Sequence, residues 1–206
     1  MRNVLFWGRR LLLATAVFLL AGCSGMRLID SDVVSHARWQ GPPAGPGSTY
    51  RFERLPSQQT AVTPSSEIGQ DQLEALAQSA LNKLGLVHYP QAALLVVQLS
   101  TTTVVQPGYS GGWPGFPGVS IGAGTAGGHI GMVFPMARYE PPLYIREVQI
   151  ILRDSRSLAV VYETRARHSG PWADGRALIP AMLDAALSGF PSPPAGPRRV
   201  NVQIPR

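Results

Sequence analysis

Between Leu73 and Val97 the apolar pattern changes period once, and that change constrains the fold more than any other stretch of the chain. Leu73, Leu76, Ala77, Ala80, Leu81 and Leu84 recur at the spacing of one helical face, with Asp71 and Glu74 placed as a capping pair and Gly85 as the stop. Leu94, Leu95, Val96 and Val97 then form a continuous apolar run within Ala92 to Val105, which predicts a central strand covered on both faces. Ahead of the helix, Thr49 to Leu55 alternates Tyr50 and Phe52 with Arg51 and Glu53, a strand with one apolar face that Pro56 stops. Strand, helix and strand in this order favour a parallel, right-handed crossover.

The second half of the chain supplies a hairpin and another helix. In Tyr144 to Arg153, Val148, Ile150 and Leu152 share one face while Glu147, Gln149 and Arg153 share the other. Asp154 to Ser157 is a turn, and Ala159 to His168 returns with Glu163, Arg165 and Arg167 on its solvated side. Ile179, Met182, Leu183, Ala186, Leu187 and Phe190 lie on one helical stripe, in which Pro180 is tolerable only in the first turn. Arg199 to Ile204 has the pattern of a last edge strand. The sum is an α+β fold: a mixed β-sheet with two amphipathic helices packed on it, in the order β-α-β-β-β-α.

The N-terminus reads as an address. Arg2, Arg9 and Arg10 precede a stretch from Leu11 to Ala21 that is apolar apart from Thr15, and Leu20-Ala21-Gly22-Cys23 closes it as a bacterial lipobox would. Lipobox processing places diacylglycerol on the thiol and cuts before the cysteine, and small Ala21 and Gly22 admit the peptidase. By resemblance to other bacterial lipoproteins the freed amine then gains a further acyl chain, and the buried methylenes, worth ~0.8 kcal/mol each, hold the chain in its leaflet. Ser24 stands where aspartate retains lipoproteins in the inner membrane, so the expected destination is the periplasmic face of the outer membrane. Only about a dozen apolar residues follow Arg10, short of the ~20 that a membrane-spanning helix needs. The expected organisation is a lipoprotein signal peptide over 1–22, a lipidated tether over 23–47 with one short strand near Val33 and Val34, and a periplasmic α+β domain over 48–206.

Composition removes several function classes. Without the signal arginines, fifteen basic and twelve acidic residues leave a net charge of +3, with no run of five or six like charges, so nucleic acid is not an expected partner. Cys23 is the sole cysteine, and once acylated it forms no disulfide, so packing alone must hold the domain. His36, His88, His129 and His168 lack the short spacings of metal-ligand pairs and read as surface or strand-end residues. No cofactor is implied.

A glycine-rich loop over 107–135 holds ten of the 22 glycines, with Tyr109, Trp113, Phe116 and Phe134 spaced through it. Such composition reads as a disordered loop, with an aromatic contact surface for a partner or the nearby bilayer as the alternative. Gly108-Tyr109-Ser110-Gly111-Gly112 and Gly118-Val119-Ser120-Ile121-Gly122 both fit the G-x-S-x-G nucleophile elbow, and Gly122 to Gly127 fits the dinucleotide fingerprint. An elbow needs a strand before the serine and a helix after it. Neither serine is followed by a helical pattern, and the same holds for the dinucleotide run.

The lipobox, Thr49-Tyr50-Arg51-Phe52, the helix ending at Gly85, Ala93-Leu94-Leu95-Val96, the strand ending at Asp154 and Phe190-Pro191 together resemble the bacterial lipoproteins of the domain of unknown function 4136 family, over roughly residues 30 to 194. The glycine-rich insertion and Phe52, where a tryptophan is common, depart from that pattern. The resemblance implies a fold and an envelope address, and it brings no catalytic residues. The expectation is therefore a non-enzymatic structural or binding module of the cell envelope, anchored through Cys23 and meeting another envelope protein. Tyr109, Trp113 and Phe116 beside Arg153, Arg165 and Arg167 are its candidate contacts. A serine hydrolase using Ser110 or Ser120, and a carrier for lipid or another anionic envelope ligand, are the alternatives.

Overall fold

Seven strands from both halves of the chain pair into one mixed sheet with both helices on one face. The computed structural model describes residues 25–59, 67–108, 110–111, 118–124, 127–133 and 138–205. Its main elements are β1 (Met26–Ala37), β2 (Thr49–Phe52), α1 (Gln70–Lys83), β3 (Val87–His88), β4 (Leu95–Gln106), β9 (Leu143–Asp154), β10 (Val160–Gly170), α2 (Gly175–Leu187) and β11 (Arg198–Pro205). Between β4 and β9 lie four short strands: β5 (Ser110–Gly111), β6 (Gly118–Gly124), β7 (Gly127–Val133) and β8 (Arg138–Tyr139). The large sheet runs β11-β1-β10-β9-β4-β2-β3. β2 pairs parallel to β4 across α1, as the strand-helix-strand order predicts, and β9 with β10 forms the antiparallel hairpin.

Register explains the core. Ala166 faces Val148 and Val33, while Thr164 faces Ile150 and Ser35, and Ile150 in turn faces Leu99, so one parity of each strand builds a single face. Leu73, Ala77 and Leu81 of α1 and Ile179, Met182, Leu183 and Ala186 of α2 are buried on that face with Val97, Leu99, Val148, Ile150 and Leu152. Removing such apolar side chains from water is the main stabilising term, ~25 cal/mol per Å². Thr164 donates from Oγ1 to the Ala186 carbonyl at 2.8 Å, which fixes α2 over β10. The Lys83 ammonium bridges the two helices through both Asp184 oxygens at 2.7 and 2.8 Å.

Several local expectations change. Residues 26–37, read as part of a tether with a short strand, form a twelve-residue strand between β10 and β11, because Ile29, Ser31, Val33 and Ser35 alternate into the core. Asp71 and Glu74 do not cap α1, whose N-cap is Gly69. Both carboxylates instead receive hydrogen bonds from Arg54. Gly85 does end that helix, with φ +79°, and the Leu86 and Gly85 amides donate to Leu81 and Asn82 as a Schellman turn requires. Helix α2 begins at Gly175 under an Asp174 cap, earlier than its apolar stripe, so Pro180 is its sixth residue. The carbonyl that Pro180 leaves unpaired belongs to Arg176, which is exposed to water. In the glycine-rich segment β6 and β7 form an antiparallel hairpin in which Val119 faces Met132 and Ile121 faces Ile130. Apolar residues alternating there with glycine and small residues give a strand period that composition concealed.

Candidate functional site

The face of the sheet opposite the helices carries the side chains of the other parity. Among the described residues no helix packs on it. Glu147, Gln149 and Arg153 of β9 share it with Glu163, Arg165 and Arg167 of β10, since Arg165 pairs with Gln149 and Arg167 with Glu147. The Gln149 amide donates to Glu163 at 3.0 Å, and Arg165 lies 3.3 Å from Glu147. Val96 is buried on this face, with Arg51 and Arg153 as its register partners on either side. The mixed-charge face predicted from sequence thus exists as one surface. Arg153, however, lies beside the 154–159 turn, whereas the 107–142 connection leaves β4 and enters β9 at the opposite end, roughly 33 Å away at ~3.3 Å per residue. Arg167 lies toward the connection and Arg153 away from it. Tyr109, Trp113 and Phe116 lie outside the described residues, as does Cys23.

On the helix-covered face, near the connection, the sheet turns polar. Ser31, His168, Arg146 and Thr103 follow one another across β1, β10, β9 and β4. Arg146 is fully buried; it donates from Nε and Nη2 to Glu67 at 3.0 and 2.8 Å and from Nη1 to the Trp172 carbonyl at 2.8 Å. One guanidinium thereby clips the loop before α1 to the loop before α2. At Gly175 a Cβ would sit 1.6 Å from a Glu67 carboxylate oxygen, so any larger residue there would displace Glu67 from its present position against Arg146. His168, read from sequence as a surface or strand-end residue, lies near the end of β10 but is only 2 % exposed, with its ring stacked on Trp172 and Nδ1 2.6 Å from the Asp30 carbonyl and 3.4 Å from its carboxylate. A carbonyl accepts, so Nδ1 carries the hydrogen.

Ser31, His168 and Asp30 bring a hydroxyl, an imidazole and a carboxylate to adjoining strands. Nucleophilic catalysis requires the serine to donate to the imidazole at a place substrate reaches. Both Ser31 Oγ and His168 Nε2 lack a hydrogen-bond partner among the described residues, and both side chains are closed to solvent. The arrangement is closed core, without the serine-to-imidazole hydrogen bond that a triad uses.

At the far end of the sheet, Trp39, Pro42, Pro43, Leu94 and Val161 line a cleft of about 500 Å³ whose polar edge is Asp154 and Ser157. Trp39 is fixed by its indole N–H donating to the Pro191 carbonyl at 2.9 Å and by edge contact with Phe190. Hydrogen bonds from the Ser157 amide and hydroxyl, then from the Arg156 amide, hold the Asp154 carboxyl below its ordinary pKa. The cleft thus offers an apolar wall and an anionic rim. Burial pushes the Tyr50 phenol up to about 12, so it stays neutral in the core, and desolvation raises Tyr162 in the same direction.

Ser120 lies inside extended β6 opposite Gly131, and Ser110 lies in two-residue β5 opposite Tyr139, so Ser120 has no elbow geometry and Ser110 is paired in a strand ladder. The Gly122–Gly127 run spans the β6–β7 hairpin instead of opening a helix. Among the described residues, no three His, Cys, Asp or Glu side chains converge as metal ligands, and no helix is long and apolar enough to cross a membrane. Residue type alone does not mark Arg146 as buried, and it makes His168 only a surface or strand-end residue. Parity would have found them: Arg146 shares the face of Val148, and His168 that of Ala166.

A family model described as a domain of unknown function, DUF4136, matches residues 40–192, more than half of the chain. The chain belongs to this family. No curated protein matches it. Among solved structures, a PDZ domain protein from Parabacteroides distasonis is similar at 15 % identity with a TM-score of 0.51, covering 93 % of this chain and 42 % of its own. This chain therefore spans less than half of that protein, and the likeness shows the fold. A PelC dodecamer from Paraburkholderia phytofirmans aligns at 15 % identity with a TM-score of 0.43, over 77 % of this chain and 95 % of its own.

Proposed function

We propose that this DUF4136 protein is a lipoprotein of the outer membrane, held at its periplasmic face by an acylated Cys23, whose domain serves as a structural or binding module of the envelope. The observation that carries this reading is the Leu20-Ala21-Gly22-Cys23 lipobox behind a charged and apolar N-terminal segment. The domain supports a binding role through its mixed-charge sheet face, on which no helix packs among the described residues and Arg165, Arg167 and Arg199 are exposed. An arginine-bearing rim is what a partner surface uses. Hydrolase chemistry is disfavoured by the closed Ser31–His168 arrangement and by the strand settings of Ser110 and Ser120. A carrier for an anionic ligand is disfavoured by Asp154 on the rim of the cleft.

The test is Cys23→Ala in cells fed a labelled fatty acid. The native chain should incorporate label and fractionate with the outer membrane. The variant should lose the label and leave that fraction. Label retained by Cys23→Ala, or a native chain in the soluble fraction, would contradict the reading.

A further inference from the structure

Strand β1 begins at Met26, only three residues after Cys23. Register places that end of β1 beside the end of β10 at Gly170, the start of β9 and the end of β4, so the strands finish together on one side of the sheet. There the uncovered face changes character. Charged positions give way to Met26, Leu28, Val104 and Leu143, which are 54, 51, 52 and 38 % exposed. Around the corner, half-buried Trp172 carries the Arg27 guanidinium 5.7 Å above its ring. Apolar side chains, a tryptophan and an arginine at one rim are the composition of a membrane-water interface.

From Cys23 to Met26 the chain reaches ~11 Å at most when fully extended. The polar region on each side of a bilayer core is roughly 5–8 Å deep. An acylated Cys23 therefore leaves no room for the domain to hang free. We infer that the end of the sheet bearing Met26, Leu28, Val104 and Leu143 seats on the leaflet surface, with Trp172 and Arg27 at headgroup level, and that its partner is the phospholipid bilayer itself. This seating rests on the acylation of Cys23 proposed above. Its consequence is that the Trp39–Asp154 cleft is carried away from the membrane by the length of β9, eleven steps at ~3.3 Å or roughly 36 Å. There the cleft faces a partner approaching from the periplasm.

Because Cys23 is the only cysteine, an introduced cysteine is the only free thiol of an acylated chain. Full-length protein extracted from membranes, carrying Leu28→Cys or Leu143→Cys at the proposed seat, would be fluorescently labelled and placed in phosphatidylethanolamine–phosphatidylglycerol vesicles. Leu94→Cys and Leu158→Cys, 52 and 59 % exposed at the other end of the sheet, serve as controls. Quenching by a headgroup-borne nitroxide should be several-fold stronger at 28 and 143 than at 94 and 158. Equal quenching at the two ends, or stronger quenching at 94 and 158, in protein whose mass includes acyl chains would overturn the seating and leave the anchor standing. A mass without acyl chains would overturn both.

Discussion

Glu67→Ala is expected to cost more than the two hydrogen bonds it removes, because it leaves a buried guanidinium charge with only the neutral Trp172 carbonyl and the Tyr144 ring beside it. Arg146 is fully buried while the Glu67 side chain is 23 % exposed. Deleting one member of a buried ion pair costs about 3–5 kcal/mol, and the partial exposure of Glu67 lets water reach the vacated site, so the lower end, about 3 kcal/mol, applies. With a urea slope of ~2 kcal/mol/M, the midpoint should fall by roughly 1.5 M. Adding Arg146→Met removes the orphaned charge and fills the same core space with an apolar chain, at the expense of an unpaired Trp172 carbonyl worth about 1 kcal/mol or more. The double variant should therefore recover about 1–2 kcal/mol over Glu67→Ala. Urea unfolding of the four proteins, followed by near-ultraviolet circular dichroism, completes the cycle. A double variant no more stable than Glu67→Ala would refute the argument that an uncompensated buried charge dominates.

Two further substitutions probe the turns. Gly85 and Gly47 both hold positive φ, but a Cβ at Gly85 would meet the Pro46 Cβ at 2.8 Å whereas one at Gly47 would meet nothing within 4 Å. Gly47→Ala should cost about 1 kcal/mol of left-handed strain, and Gly85→Ala measurably more; equal midpoints would show that the Pro46 contact yields freely. At the β9–β10 turn, the lowered pKa of Asp154 adds stability that is fully present above its unfolded value, ~3.9, and is lost as pH falls through the folded value. The stability gap between native protein and Asp154→Ala should accordingly be constant above about pH 5 and narrow below about pH 4. A gap independent of pH in acid titrations would show that the turn does not depend on the ionised carboxyl.

Much of the sheet was readable because one-sided burial imposes a period of two. Val148, Ile150 and Leu152 against Glu147, Gln149 and Arg153 announced β9 and its two faces, and the change to helical spacing at Leu73 announced the parallel crossover. The failures have a common cause. β1 carries Ser31 and Ser35 on its buried face, and β6 and β7 carry glycine, so neither shows apolar alternation strong enough to mark a strand. Residue type gives Arg146 no sign of burial and makes His168 only a surface or strand-end residue, although parity puts both on the core face, where Glu67 and Trp172 make their burial tolerable. Asp71 and Glu74 sat at capping positions by sequence, and Arg54, seventeen and twenty residues away, claimed them. Long-range pairing of that kind leaves no local signature.

The intact mass of the mature protein purified from its own membranes tests the Cys23 anchor most directly. The expected species is a polypeptide that begins at Cys23 and carries a thioether-linked diacylglycerol with a further acyl chain on the amine. An unmodified Cys23, or a mature N-terminus elsewhere, would contradict it.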